Sequence, residues 1–195
     1  MESRVQPITV IGHPFTNIGM GEQLRSCLSS LQSVLLDCRV IDIFRAAPRV
    51  DTEYLELVAP IETRELSTGI RIFHVNGDEI DNVLKELSDR RMRFSGGFNI
   101  LVPAWELPRY PDIWVEAVKK FDEVWALSKF IKMSFDNAGV TSHHVGQSVE
   151  VVHRPFLSRK YFGISESAFV FLNYLDLTSY STRKNPEALL EMFRK

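Results

Sequence analysis

The chain has 195 residues, of which 45% are hydrophobic and 25% are charged. These fractions are typical of one globular domain, or one domain with part of another, and exclude a disordered tail or a coiled coil. The net charge of −2 argues against a nucleic-acid-binding protein, which needs a basic surface. The two cysteines form no disulfide framework and fit a reducing compartment, so we expect a cytoplasmic protein.

Neither a secretory signal nor a membrane span is predicted. No apolar stretch follows the charged residues at the start of the chain, and no window approaches the roughly 20 continuous apolar residues of a membrane-spanning helix. We therefore expect a soluble protein. The basic run at 90–94 could still contact anionic lipid at the inner face of the cytoplasmic membrane, although such runs are more often the solvated end of a helix.

Short apolar runs that predict strands alternate with amphipathic stripes that predict helices. The predicted strands are 8–11, 39–44, 70–75, 98–102, 123–126 and 149–152. Helices are predicted over 21–35 and 112–120, after the capping pair Asn76 and Glu79, and after the cap Ser128. Residues 45–68 carry two prolines and no clear period, so they are predicted to form a loop with at most a short strand.

This order predicts an α/β fold with a mainly parallel sheet and helices on both faces. Residues 1–157 then form one domain. A strand over 168–174 and a helix capped by Asn185 follow a polar connection at 158–167. One strand and one helix cannot form a core, so 158–195 are predicted to be a linker and the start of a truncated second domain. The alternative is that these residues add a sixth or seventh strand to the first sheet.

Parallel sheets bind ligands beyond the carboxyl ends of their strands, so the loops there supply the candidate site residues. Gly19 and Gly21, just before a helix, would let backbone N–H groups approach an anion, but a plain tight turn explains them equally well. Glu22 and Arg25 lie one helical turn apart and form either a surface pair or part of the cleft.

Two further loops carry polar or aromatic residues suited to a sugar. His74 and Asn76 could hydrogen-bond hydroxyls, or they could serve only as a half-buried side chain and a helix cap. Trp105 could stack on a sugar ring, and the Glu106 carboxylate could accept from its hydroxyls. Alternatively, Trp105 packs on the sheet with Trp114 and Glu106 pairs with Arg109.

Charged and metal-binding patterns are sparse. His143 and His144 are adjacent and point apart in an extended chain, with no Cys, Asp or Glu at a ligand spacing, so no metal site is expected. Arg183 and Lys184 directly precede the predicted cap Asn185, and two cations at a helix N-terminus suit a diphosphate.

Several segments together resemble the amino-terminal half of group 1 glycosyltransferases, which are retaining enzymes of the GT-B fold. The most specific are Trp-Glu-Leu-Pro at 105–108 and Asp-Glu-Val-Trp-Ala-Leu-Ser at 122–128. The segments at 19–25, 74–79, 97–100 and 151–156 are similar to the same family. The resemblance covers nearly the whole chain apart from 45–68.

The resemblance implies a Rossmann-like acceptor-side domain at 1–157 and the start of a donor-side domain at 158–195. It implies sugar transfer, with retention, from a nucleotide-diphosphate-sugar to a glycan or lipid-linked acceptor in polysaccharide biosynthesis, without metal or cofactor. The implied substrate-binding residues are Gly19, Gly21, Glu22, His74, Asn76, Trp105 and Ser128, with Arg183 and Lys184 at the donor diphosphate. Glu106 is the catalytic candidate, and the other catalytic residues are expected in the missing half.

Two departures from the family and two alternatives remain. Asn185 stands where the family has a glycine, and the usual Gly-Arg is replaced around 173–176, which affects the diphosphate contacts. A non-catalytic Rossmann-like module that binds a nucleotide or glycan is the main alternative. A nicotinamide-dependent oxidoreductase is disfavoured because the first loop lacks the glycine triplet. We expect little or no transferase activity from these 195 residues alone.

Overall fold

A computed structural model describes residues 6–45, 52–149, 155–173 and 185–194. The chain divides into two compact units, Met1–Val151 and Val152–Lys195. The first unit contains the sheet and is built around a well-packed core. The prediction that a second domain begins at residue 158 stays a prediction.

Six parallel strands form the sheet of the first unit, in the order β2-β1-β3-β4-β5-β6. The strands are β1 Ile8–Gly12, β2 Cys38–Asp42, β3 Ile70–Phe73, β4 Phe98–Leu101, β5 Glu123–Ala126 and β6 His143–His144. The helices are α1 Gly19–Ser33, α2 Thr52–Val58, α3 Ile80–Asp89, α4 Asp112–Val118 and α5 Lys129–Asn137. The predicted α/β class is confirmed, and the fold is Rossmann-like.

Alternation of side chains along the strands separates the two faces of the sheet. Ile72 and Ile100 point to a first face, where Cys27 of α1 packs against them. Phe73 and Leu101, the next residues in each strand, point to the second face. The second face is covered by the apolar residues of α3, α4 and α5, while α1 and α2 lie on the first face.

The prediction of a loop over 45–68 is wrong for part of that segment. Residues Thr52–Val58 form α2 and Ala59–Ile61 form a turn of 3-10 helix. Two turns of helix are too short to show a clear period, and Val58 is nonetheless fully buried against the first face. Beyond the helix, Glu62 forms a single parallel bridge with Val40 at the outer edge of β2.

Strand β6 was not predicted, because both of its residues are exposed histidines that carry no apolar pattern. They pair with Trp125 and Ala126 of β5. The predicted strand at 149–152 lies outside the described residues except for Val149.

The second unit contains helix α6, Pro186–Arg194. Asn185 Oδ1 accepts a hydrogen bond from Ala188 N at 3.4 Å, which confirms the predicted cap. The predicted strand over 168–174 is wrong for residues 168–173, which form no strand. A strand needs a neighbour for its backbone hydrogen bonds, and the described part of this unit supplies none. Instead the Phe171 ring packs edge-on against Phe193, with centroids 5.0 Å apart.

A fully buried arginine fastens the amino edge of the sheet. Arg71 lies in β3 and is 1% exposed. Its guanidinium donates to the carbonyl oxygens of Ser67, Arg93 and Phe94 at 2.6, 2.9 and 2.7 Å. Burial lowers the pKa of Arg71. One side chain therefore holds the segments that precede β3 and β4.

Replacing this arginine tests that role. Arg71→Met removes the donor to the part-buried carbonyl oxygens of Ser67 and Arg93 and one of two donors to Phe94 O, and it should lower the free energy of unfolding by roughly 3 kcal/mol or more. Arg39→Met is a matched control, because Arg39 and Arg71 flank Thr9 in the same row of the sheet. Arg39 is half-exposed and pairs only with Asp37 among the acidic residues that the structure describes, so its loss should cost about 0.5 kcal/mol or less. Equal losses in urea unfolding would contradict the assignment.

Candidate functional site

Three strand-end loops are joined by hydrogen bonds that converge on the turn after β3. Glu79 Oε2 accepts from Asn76 N at 2.8 Å, which confirms the predicted capping box. Glu79 Oε1 lies 2.7 Å from His13 Nε2 in the loop after β1. Asn76 Oδ1 accepts from Ala104 N at 3.0 Å in the loop after β4. The Glu79–Asn76 pair thus positions the loops of β1, β3 and β4.

His13 extends this linkage to the loop after β2. Its imidazole stacks on the Phe44 ring with centroids 4.2 Å apart and planes 14° from parallel. The Glu79 carboxyl is half-buried. Burial alone would raise its pKa, but hydrogen bonds from His13 and from Asn76 N outweigh burial and lower the pKa overall. The carboxylate is therefore the form that the folded chain favours.

The loop before α1 is held by the glycine and the arginine of that helix. A Cβ on Gly21 would strike the carbonyl oxygens of Thr16 and His13, so the chain can turn this tightly only with glycine there. Arg25 is buried and donates to Pro14 O at 3.0 Å, and it pairs with Glu22 at 3.0 Å. Gly21 and Arg25 therefore shape the loop, which supports the tight-turn interpretation of Gly21. The Glu22–Arg25 pair joins an exposed carboxylate to a buried guanidinium.

Gly19 differs from Gly21. It is exposed, and a Cβ there would meet nothing within 4 Å. It forms the first residue of α1, whose cap residue Ile18 offers no side-chain hydrogen bond. Packing within the described residues does not require glycine at this position.

A cleft of about 370 Å³ opens at the carboxyl edge on the first face of the sheet. That volume falls within the roughly 300–1,000 Å³ of small-ligand sites. Helix α1 forms one wall, the strand ends form the floor, and residues 145–148 after β6 form the other wall. The lining residues are Gln23, Cys27, Ser30, Leu31, His74, Val102, Trp125, Leu127, Val145, Gly146, Gln147 and Ser148.

His74 is the most unusual residue of the cleft. It is 2% exposed, and neither ring nitrogen has a hydrogen-bond partner in the described part of the chain. Burial lowers the pKa of His74 to about 3, so the imidazole is neutral at physiological pH. Gln23 Oε1, from α1, lines the same cleft and is also buried and unpaired among the described residues. Unsatisfied buried polar groups are costly, so ordered water or a ligand is the expected partner of these atoms.

The remainder of the cleft is mainly apolar. The indole N–H of Trp125 donates a hydrogen bond to Glu123 Oε2 at 2.8 Å, which fixes the orientation of the ring. Burial raises the pKa of Cys27 to about 11, so its thiol stays protonated. Of the described residues that line the cleft, none carries a charged side chain. The described lining therefore combines the buried, unpaired Gln23 and His74 with the polar side chains Ser30, Gln147 and Ser148 in a mainly apolar, partly aromatic surface without charged side chains.

Trp105 lies on the opposite face from His74. Its ring packs edge-on against Tyr110 and Trp114 with centroids 5.5 and 5.4 Å away, and Nε1 donates to Arg109 O at 2.8 Å. Trp105 therefore contributes to the packing of the second face, as the structural alternative stated. Arg109 pairs with Asp112 at 2.7 Å.

The remaining predicted site residues are distributed along the carboxyl edge. Glu106 is exposed, two residues after Ala104, which binds Asn76. Ser128 Oγ accepts from Ile131 N at 3.1 Å and caps α5. The diphosphate candidates Arg183 and Lys184 lie outside the described residues. Among the predicted site residues that the structure describes, His74 is the one that lines the cleft, while Asn76 binds Ala104 in the loop after β4.

Metal and membrane features are limited in the described ranges. No three His, Cys, Asp or Glu side chains there could hold a metal ion together. None of the helices in those ranges is long and apolar enough to cross a membrane. At the start of the basic run, Arg90 donates to Asp42 O at 3.1 Å and pairs with Glu86 at 3.1 Å. This arginine fastens α3 to the end of β2.

Three features of the cleft were not predicted from the sequence: Gln23, Trp125 and the wall at 145–148. Gln23 looks like any polar residue of an amphipathic helix. A spacing of four connects it to Cys27 on the same face of α1, but only the fold shows that this face meets His74.

Fold and site together define a Rossmann-like α/β protein with a ligand-sized cleft at the carboxyl edge of its sheet. The sequence matches no protein-family model, and no curated protein matches it.

The Glu79 linkage predicts an acid-sensitive stability. Because the pKa of Glu79 is lower in the folded chain, its carboxylate stabilises the fold fully above the ordinary value of 4.5. That stabilisation is lost as the pH falls through the folded value. At pH 7, Glu79→Gln should therefore reduce the free energy of unfolding by about 1 kcal/mol, with the difference shrinking toward zero in acid.

Urea unfolding measured from pH 7 down to pH 3 checks this expectation. Glu116→Gln, at an exposed position of α4 that pairs with Lys119, is the control and should change little. A Glu79→Gln deficit that stays constant across the pH range would contradict the ionic linkage.

Proposed function

We propose that the chain carries the acceptor-side domain of a retaining glycosyltransferase, which transfers a sugar from a nucleotide-diphosphate-sugar to a glycan or lipid-linked acceptor. The observation that carries the proposal is His74. His74 lines a ligand-sized cleft at the carboxyl edge of a parallel sheet, and its buried, neutral imidazole has two unpaired nitrogens among the described residues. Hydroxyl groups of a sugar are suitable partners, because each can both donate and accept.

Position in the fold supports the same conclusion. The sheet order reverses at β1, whose neighbours are β2 and β3. In open α/β sheets, ligands bind beyond the carboxyl ends of the strands at such a reversal. His74 directly follows β3, and the loop after β1 leads into α1, which forms one wall of the cleft.

The proposed reaction needs two kinds of group. The departing diphosphate needs cations and N–H donors on its oxygens, a role proposed for Arg183 and Lys184. The acceptor hydroxyl needs to be held close to the anomeric carbon, a role proposed for the loops of this domain. Glu106 is proposed to act at the reacting centre. No metal is required if the two cations neutralise the diphosphate.

One observation favours a second candidate, a binding module without chemistry. In the described chain, the residues lining the cleft include no Asp or Glu that could serve as an acid or base.

A measurement of nucleotide-sugar turnover distinguishes the two candidate functions. A protein that contains these residues and a donor-side domain should release nucleoside diphosphate from a nucleotide-sugar when acceptor is present. The 195 residues alone should release little or none. A complete protein that binds glycan but releases no nucleoside diphosphate would be the module.

The role of Glu106 predicts a selective loss of activity. Glu106→Ala should lower kcat at least about tenfold if the carboxylate acts at the reacting centre, while the melting temperature stays within about 1 °C because the side chain is exposed. Glu65→Ala, in the segment that leads into β3 at the opposite edge, is the control and should affect neither quantity. A sharp fall in melting temperature with Glu106→Ala would make that residue a structural partner instead.

The role of His74 predicts a loss of binding. His74→Ala removes two hydrogen bonds to the ligand and should lower kcat/KM roughly 10- to 100-fold. Folding should survive, because the substitution also removes two unpaired buried polar atoms. His143→Ala changes an exposed histidine of β6 and should leave kcat/KM unchanged. Equal kinetics for both variants would remove His74 from the site.

A further inference from the structure

The charge of the cleft restricts what it can hold. Helix α1, the strand ends and residues 145–148 contribute no charged side chain to its lining within the described residues. The imidazole of His74 adds none at physiological pH, since burial lowers its pKa to about 3. A carboxylate, phosphate or ammonium group placed there would lose part of its hydration without gaining a counter-charge from the described lining, which is unfavourable.

The two unpaired side chains define the hydrogen bonds that a ligand must make. Gln23 Oε1 can only accept, so the ligand must present a donor to it. A neutral imidazole has one donor and one acceptor nitrogen, so it pairs best with a hydroxyl group or two adjacent ones. Apolar lining from Val102, Trp125 and Leu127 adds contact area for the C–H groups of a ring.

We propose that the cleft binds an uncharged saccharide unit, with Gln23 and His74 as the residues that select it by hydrogen bonding to its hydroxyls. This inference rests on the proposed function, because it names the class of sugar that the same site takes. Gln23 is a specificity-determining residue in this assignment. Uronic acids, amino sugars with a free ammonium group and bare phosphates are excluded from the cleft.

The experiment measures binding of free sugars to the 195-residue chain by saturation-transfer NMR and calorimetry at pH 7.5. The probes are D-glucose, D-mannose, D-galactose and L-rhamnose, compared with D-glucuronic acid and D-glucosamine. At least one neutral sugar should bind, and both charged sugars should bind at least about tenfold more weakly than it. The affinity of the neutral sugar should not change between pH 5 and 8, because His74 stays neutral over that range.

Two substitutions at one position sharpen the test. Gln23→Leu should weaken binding of the neutral sugar roughly 3- to 10-fold, since one hydrogen bond to an uncharged group is lost. Gln23→Glu places a negative charge in the cleft and should reverse the preference toward D-glucosamine. Gln32→Leu and Gln32→Glu make the same changes on α1 away from the cleft, and they should alter neither affinity nor preference.

Each outcome bears on one proposal or the other. Binding of D-glucuronic acid equal to or better than that of every neutral sugar overturns the inference. So does an effect of Gln23→Leu no larger than that of Gln32→Leu, or no sugar binding at all. Neutral-sugar binding in this cleft, with no turnover of any nucleotide-sugar by the complete protein, would leave the inference standing and reject the proposed function. Turnover without neutral-sugar binding in the cleft would do the reverse.

Discussion

The Glu79 carboxylate is the interaction on which the geometry of the carboxyl edge depends. It accepts from Asn76 N and contacts His13, so a single side chain holds the turn after β3 against the loop after β1. Asn76 then reaches Ala104 and fixes the loop after β4. Loops at a strand end are otherwise free to move, because few backbone groups there have partners. This linkage connects three strand-end loops at the carboxyl edge without using His74.

Helices cover the two faces of the sheet differently, and the 370 Å³ cleft opens on the first face. Helices α3, α4 and α5 close the second face, where Trp105 and Trp114 complete the packing. On the first face, Cys27 and Leu31 of α1 pack against the cluster that includes Ile100 and Val102, and Trp125 of β5 packs against the same cluster. The Trp125 side chain is half-buried and lines the cleft. The ligand-sized cleft lies at the carboxyl ends of the strands, next to His74.

The sequence predicted the sheet, most helices and the capping box because each depends on local patterns. Apolar runs predicted β1 and β3, and the spacing of Asn76 and Glu79 predicted the turn after β3. Helix α2 and strand β6 were not predicted because two turns of helix and two exposed histidines carry little periodic signal.

The candidate site was predicted only in part. His74 was identified by its position after a strand. That Gln23 lines the same cleft depends on which face of the sheet α1 covers, which is a property of the tertiary structure. Trp105 lies in a loop whose composition is typical of sugar binding. Its ring nevertheless packs against Tyr110 and Trp114 on the second face of the sheet.

The chemistry of sugar transfer fits a division between an uncharged cleft and charged residues elsewhere. A diphosphate leaving group requires cations, and a cation close to His74 would have no counter-charge in the described lining of the cleft. A neutral pocket can instead distinguish sugars by their hydroxyls, because a missing hydroxyl would leave Gln23 or His74 buried and unpaired. Removing such a partner costs more than the hydrogen bond contributes when it is present. Under the proposed function, the cleft would therefore supply selectivity and the residues around Arg183 and Lys184 would supply charge stabilisation, so that substitutions in the two regions should affect different kinetic constants.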